Sequence, residues 1–180
     1  MRLEQPAQKY RTRPMLSPLC LFGARHFLIK NMRYHLAARY ARRVELCAYR
    51  EQLLSIGDTV TSRWLDFRKK PKWSSGIARA DCEDLMAADS VIIFTERPNT
   101  VLATGGSHVE FGLALAQDKG VIIVGPRENV FHYLLPDSQM FATWNQAFAT
   151  IKRYALLQTR CARRAGHLRS SDQGSTFGLR

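Results

Sequence analysis

Residues 90–125 read SVIIFTERPNTVLATGGSHVEFGLALAQDKGVIIVG. Two runs in this segment, SVIIFT (90–95) and VIIVG (121–125), are apolar without alternation, which is typical of strands buried on both faces of a parallel sheet. Between them, SHVEFGLALAQDKG (107–120) has apolar residues at helical spacing and a terminating glycine. A strand, a helix and a second strand in this order indicate an α/β fold with a parallel sheet.

The same alternation continues on both sides of this segment. The further predicted elements are a strand MRYHLAA (32–38), a helix ARRVELCAYREQLLSIG (41–57), a strand TVTSRWL (59–65), a polar loop around Pro71, a helix IARADCEDLMAAD (77–89), a weak strand MFATW (140–144) and a last helix from about Asn145. We therefore predict an open, doubly wound, flavodoxin-like or Rossmann-like sheet of about five parallel strands in a three-layer α/β/α architecture. Ligands of such folds bind beyond the carboxyl ends of the strands.

Charge and length divide the chain into three predicted parts. The 180 residues suit one domain, which we place at 31–155. The net charge of +12 is concentrated at the ends, with +5 in residues 1–30 and +4 in residues 156–180. We expect a basic amino-terminal extension, which need not be ordered, and a basic carboxyl-terminal tail. Nucleic acid is then a partner only through these tails, because the central part carries only +3.

Cysteine spacing and hydropathy bear on the compartment. The four cysteines, Cys20, Cys47, Cys82 and Cys161, form no CxxC pair and no metal-like spacing. They indicate a reducing, cytoplasmic location, and we predict neither disulfides nor a metal site. No apolar run approaches the roughly 18 residues that a membrane-spanning helix needs, so we expect no membrane association.

The stretch TGGSHVEFG (104–112) admits two interpretations. Ser107 and Glu110 have the spacing of a capping box, in which each side chain bonds the other residue's backbone N–H at a helix start. A capping box does not explain Gly105 and Gly106, which allow a sharp turn or a close backbone approach. It also does not explain Gly112, a residue that costs about 1 kcal/mol inside a helix. The second interpretation is a catalytic Glu110.

A catalytic Glu110 would have a specific chemical role. A carboxylate in the first turn of a helix is stabilised as an anion by the helix dipole. An anion at the mouth of a sheet can act as nucleophile or counter-charge in a reaction that passes through an oxocarbenium-like sugar cation.

Several motifs together resemble those of the nucleoside 2-deoxyribosyltransferase family and the related deoxynucleoside 5′-monophosphate N-glycosidases. The motifs are RYHLAARYARR (33–43), Asp81 and Asp89 with seven residues between them, G-x-x-x-E-x-G (106–112) and KGVIIVG (119–125), and the resemblance covers roughly residues 32–150. It implies that Glu110 attacks C1′ of the sugar and forms a glycosyl-enzyme intermediate. It also implies that Asp81 protonates the leaving base, and that Tyr34 lies near the sugar and the nucleophile.

The sequence departs from the family at one position. Six residues before the nucleophile, the transferases have a sugar-binding aspartate, where this chain has Thr104. A hydroxyl there is closer to the monophosphate hydrolases, in which a serine near this place helps to bind phosphate. Arg39, with Arg42 and Arg43, follows the first strand and offers counter-charge for a phosphate. The departure favours a nucleotide substrate over a nucleoside.

Further residues, and a second subunit, are expected to contribute to the site. The additional substrate-binding candidates are Gly105, Gly106, Ser107, His108, Asn129 and Trp64. In the family a residue of a neighbouring subunit completes each sugar site, so we expect a homodimer with Asn129 in that part. The predicted enzyme, a glycosidase or transferase, needs no cofactor because the two acids supply the chemistry. The alternative is a non-catalytic nucleotide-binding or sensing module on the same fold.

Overall fold

The computed structural model describes residues 31–72, 74–97 and 105–171, with side chains as far as Gln158. The strands are β1 (Arg33–Ala37), β2 (Thr59–Val60), β3 (Ser90–Phe94), β4 (Gly120–Val124) and β5 (Met140–Phe141). The helices are α1 (Arg43–Ser55), α2 (Ser75–Ala87), α3 (Gly106–Ala116) and α4 (Trp144–Ser171). Short 3₁₀ helices cover Tyr40–Arg42, Arg63–Asp66, Val130–Leu134 and Asp137–Gln139.

All five strands are parallel and form one sheet in the order β2-β1-β3-β4-β5. The predicted doubly wound α/β sheet is therefore confirmed. The chain leaves β1 toward β2 and then returns to the other side of β1 to form β3. This reversal lies between β1 and β3, and in doubly wound sheets such a point opens the crevice where ligands bind.

Successive side chains along each strand point to opposite faces of the sheet, so they pack into two separate cores. One core contains Tyr34 and Leu36 of β1 and packs against α1 and α4, whereas the other contains Ala37 and packs against α2 and α3. The central strands β3 and β4 are buried along their whole length. Their β-branched residues pack well on both faces of the sheet, which explains their lack of polar alternation.

The second predicted strand, TVTSRWL, is shorter than expected. Only Thr59–Val60 pair with β1, and the chain then turns into the 3₁₀ helix Arg63–Asp66. The Ser62 hydroxyl oxygen accepts the backbone N–H of Leu36 at 2.7 Å, and the Asp84 carboxylate accepts that of Arg63 at 2.8 Å. Side-chain hydrogen bonds thus take over from the sheet ladder, and sequence patterning does not reveal them.

The carboxyl-terminal part also differs from the prediction. The strand in MFATW covers only Met140–Phe141, and α4 begins at Trp144, whose aromatic ring is buried. The helix continues to Ser171, so the backbone of 156–171, which we predicted as part of a tail, is helical. Among the described helices, none is both long and apolar enough to cross a membrane.

Gly125 provides a test of the packing at the carboxyl end of β4. Its φ of +125° is one that other residues rarely adopt, and a Cβ there would lie 2.8 Å from the carbonyl oxygen of Thr95. We expect Gly125→Ala to lower the free energy of unfolding by about 2–4 kcal/mol, measured by urea denaturation.

The matched control is Gly112→Ala within α3. A Cβ at Gly112 meets nothing within 4 Å, so the variant should gain about 0.5–1 kcal/mol from helix propensity. Equal effects of the two substitutions would contradict the packing described for Gly125.

Candidate active site

A cavity of about 230 Å³ opens at the carboxyl ends of β1 and β2 and the amino terminus of α3. Its wall combines residues that follow each of the first four strands, which is the place predicted for a ligand site. The lining residues are Ala38, Arg39, Tyr40, Arg63, Trp64, Phe67, Lys70, Pro71, Ile77, Ala80, Asp81, Asp84, Gly106, Ser107, Glu110 and Glu128.

The Glu110 side chain does not fold back onto its own helix. Its Oε1 atom lies 2.7 Å from Nε2 of His35 on β1, and the side chain is only 12% exposed. The N-cap of α3 is Gly105, with φ of +78° and no side-chain capping bond. The capping-box interpretation is therefore wrong, because the carboxylate of Glu110 instead joins the helix to the sheet at the cavity wall.

Asp81 approaches the same point from α2. Its Oδ1 atom lies 3.9 Å from Nε2 of His35, and the ligand atoms of Asp81, His35 and Glu110 all fall within 4.8 Å of one another. Burial, and secondarily the charge of Glu110, raise the pKa of Asp81 to about 6. A carboxyl whose pKa is raised toward neutrality, beside a second carboxylate, is the pairing that suits acid-assisted displacement.

His35 is a site residue that the sequence analysis missed. Adjacent side chains of a strand point to opposite faces, so His35 faces α2 and α3 while Tyr34 faces α1 and α4. The assignment of Tyr34 to the catalytic site is thus wrong. Its ring is 1% exposed in the opposite core, and burial there raises its pKa well above the usual value.

A signal for His35 was present in the sequence. A histidine at the second position of the apolar run YHLA shares its strand face with Ala37 rather than with Leu36. A polar side chain inside a buried strand requires a hydrogen-bonding partner, and α3 supplies that partner in Glu110.

An aromatic wall forms one side of the cavity. Trp64, a predicted substrate contact, lines it, and its Nε1 donates to the carbonyl oxygen of Leu36 at 2.9 Å. Tyr40 lies against Trp64 with ring centroids 6.4 Å apart, and its hydroxyl donates to the carbonyl oxygen of Phe67. These bonds fix flat apolar surfaces that suit a heterocyclic ring.

The three predicted arginines differ in their environments. Arg42 binds Glu45 through two hydrogen bonds, and Arg43 donates to the carbonyl oxygen of Leu65. Arg39 lines the cavity, and no ion pair is found for its guanidinium within the described ranges. Arg39 is therefore the arginine of this group whose charge is directed at a cavity rather than at another side chain.

The predicted substrate-binding residues of the loops and turns do not all lie at the cavity. Gly106 and Ser107 line the cavity, and Gly105 makes the left-handed turn that starts α3. His108 and Asn129 are absent from the cavity wall. The Asn129 amide nitrogen lies 3.0 Å from Nδ1 of His108 and 3.2 Å from Nε2 of His132.

The outcomes for Glu128 and Thr104 differ. Glu128 lines the cavity, although the sequence analysis did not single it out. Thr104 lies outside the described residues.

A divalent cation is a chemical possibility at this cluster. His35, Asp81 and Glu110 each offer one ligand atom at suitable mutual distances. The 2.7 Å contact between His35 and Glu110 is also a complete hydrogen bond without a metal. The absence of a metal site stays a prediction.

The raised pKa of Asp81 has a measurable consequence for stability. Between about pH 4 and 6 the folded state holds a proton that the unfolded state releases, so this carboxyl lowers the free energy of unfolding as pH rises. Asp81→Asn removes this pH-dependent fall in the free energy of unfolding. We expect the variant to gain about 1 kcal/mol relative to wild type between pH 4 and 7, a value reduced by solvent screening of the partly exposed group.

Chemical denaturation at several pH values measures this difference. The control is Asp137→Asn, whose carboxylate is 92% exposed and should give a nearly constant difference. A flat difference for Asp81→Asn as well would contradict the proposed environment of Asp81.

Comparisons with known proteins identify no family for this chain. A scan against protein-family models finds no match, and a search of the curated proteins also finds none. The functional argument therefore depends on the geometry of the cavity and its two acids.

Proposed function

We propose that the protein cleaves or transfers the N-glycosidic bond of a (deoxy)nucleoside 5′-monophosphate or nucleoside. The observation that carries this proposal is the pair formed by Glu110 and Asp81, with carboxylate oxygens within 4.8 Å of each other at the wall of a cavity. Retaining glycosidases use carboxyl groups about 5 Å apart, one as nucleophile and one as acid. The resemblance of the sequence motifs to N-glycosidases and deoxyribosyltransferases agrees with this chemistry.

In the proposed reaction an oxygen of Glu110 attacks C1′ of the sugar while the bond from C1′ to the base nitrogen breaks. The electron pair of that bond leaves with the base, and Asp81 donates its proton to the base. The product is a glycosyl ester of Glu110. Water or a second base then attacks C1′ while the ester bond from C1′ to the Glu110 oxygen breaks, which restores the Glu110 carboxylate, and the proton of the attacking group returns to Asp81. The cycle balances without a cofactor.

The features of the cavity support a nucleotide as substrate. Trp64, Tyr40 and Phe67 offer surfaces on which a base can stack. Arg39 can bind a phosphate through a forked pair of hydrogen bonds, and Ser107 at the amino terminus of α3 adds a hydroxyl.

We also propose a cytoplasmic homodimer. The side chains of Val130, Phe131, Tyr133 and Leu134 are 63–73% exposed, and an apolar patch of this kind favours contact with a second subunit. Asn129 precedes this patch and is the candidate to reach a neighbouring sugar site.

The decisive experiment measures release of free base from a panel of nucleosides and 5′-monophosphates by chromatography. We expect Glu110→Gln to lower the rate by at least about 10³-fold, because the amide has no negative charge for attack on C1′. Glu51→Gln, at a residue whose side chain is 66% exposed, is the matched control and should keep full activity. Substrate binding by the wild type without release of base would favour the nucleotide-binding module instead.

Arg39→Ala tests the phosphate assignment. We expect KM for a 5′-monophosphate to rise about 10- to 100-fold, because a charge-assisted contact contributes about 1.5–3 kcal/mol, while KM for the matching nucleoside stays unchanged. Arg79→Ala, at an exposed position of α2, controls for the loss of positive charge. Equal changes for both substrates would assign Arg39 to a role other than phosphate binding.

A further inference from the structure

We propose that Ser62 and His35 form a positioning relay that holds the Glu110 carboxylate for attack, with Glu110 and Ser62 together fixing the Nε2–H tautomer of His35. This inference rests on the proposed function and specifies how its nucleophile is oriented. It concerns two residues to which the motif analysis assigned no role.

The relay is a continuous chain of contacts from Ser62, which lies after β2, through β1 to α3. The Ser62 Oγ atom lies 3.2 Å from Nδ1 of His35, and Nε2 of His35 lies 2.7 Å from Oε1 of Glu110. The imidazole is fully buried, with a side-chain exposure of 0%. Both of its nitrogens therefore depend on these protein partners rather than on bulk water.

The backbone holds Ser62 in position for this contact. Its oxygen accepts the N–H of Leu36 at 2.7 Å, and it lies 3.3 Å from the carbonyl oxygen of the same residue. The hydroxyl has one hydrogen, which can point either to that carbonyl or to Nδ1 of His35. Ser62 can thus serve as donor or acceptor toward the ring.

The contact with Glu110 selects between the two arrangements. An ionised carboxylate only accepts hydrogen bonds, so Nε2 at 2.7 Å must carry a proton. In the neutral ring Nδ1 then has a lone pair, and the Ser62 hydroxyl donates to it. The predicted state is the Nε2–H tautomer between a serine donor and a carboxylate acceptor.

This arrangement has a consequence for the nucleophile. Oε1 of Glu110 is tied to a buried ring on a central strand, so the carboxylate plane cannot rotate freely, and Oε2 lacks this tie to His35. A misplacement of about 1 Å at a reacting group can cost about 10²-fold in rate. His35 and Ser62 are positioning residues because they act through Glu110.

The first test needs no catalytic activity. Two-bond ¹H–¹⁵N correlation spectra of the full chain labelled with ¹⁵N-histidine report the tautomer of each ring, and His35→Gln identifies the His35 signals. We expect the Nε2–H form for wild-type His35 at pH 8, and a loss of this single form in Ser62→Ala. His132, buried elsewhere with Nδ1 accepting the N–H of Glu128, should be unchanged and serves as the internal control. A wild-type Nδ1–H form, or no change in Ser62→Ala, would overturn the proposal.

The second test uses kinetics with a matched pair of variants. His35→Leu removes the donor, whereas His35→Gln replaces it with an amide N–H of similar reach. We expect kcat to fall about 100-fold in the leucine variant and about 10-fold in the glutamine variant, with KM within about twofold of wild type in both. Urea denaturation of both variants checks that they fold. Equal kcat values in two folded variants would contradict a role of the Nε2 donor.

The two proposals fail in different ways. If the wild-type chain releases no base from any substrate, the proposed function and the nucleophile role fail together, while the spectra still decide whether the hydrogen-bonded chain exists. If wild type is active and His35→Leu folds with unchanged kcat, the function stands and the relay is overturned.

Discussion

The hydrogen bond between His35 and Glu110 is the contact on which the organisation of the site depends. It joins the strand next to the reversal of the sheet to the first turns of α3, across the core shared with α2. A buried imidazole without a partner would cost several kcal/mol, so α3 is held in the orientation that supplies one. The same contact turns Glu110 away from its own backbone and toward the cavity.

Much of the fold follows from simple patterning, whereas the details of the site do not. The predicted strands SVIIFT (90–95) and VIIVG (121–125) have the apolar continuity of central parallel strands, and they form as Ser90–Phe94 and Gly120–Val124, with each end within one residue of the prediction. The segment after Val60 deviates because Ser62 and Asp84 supply hydrogen bonds that replace a ladder. Such bonds connect residues 21–26 positions apart, and a local pattern does not contain them.

The predicted roles of the site residues also depended on long-range contacts that a local sequence pattern does not contain. Motif spacing and the family resemblance singled out Glu110 and Asp81, and both residues line the cavity. Tyr34 was misplaced by a single residue, and in a strand one residue reverses the face. His108 was expected at the substrate, but it lies off the cavity wall and close to the Asn129 amide, whereas the role of Asn129 in a neighbouring subunit stays a prediction. Spacing thus locates a functional segment, whereas the direction of each side chain depends on packing against distant elements.

The electrostatics of the cluster explain why the two acids can differ although they lie within 4.8 Å of each other. Glu110 has a direct donor in His35, whereas Asp81 is farther from the ring and half-buried between the charge of Glu110 and an apolar wall. Burial and the neighbouring charge of Glu110 both oppose ionisation of Asp81 and so raise its pKa. The asymmetry of the cluster therefore depends on His35 of β1, whose Nε2 atom lies 2.7 Å from Glu110 and 3.9 Å from Asp81.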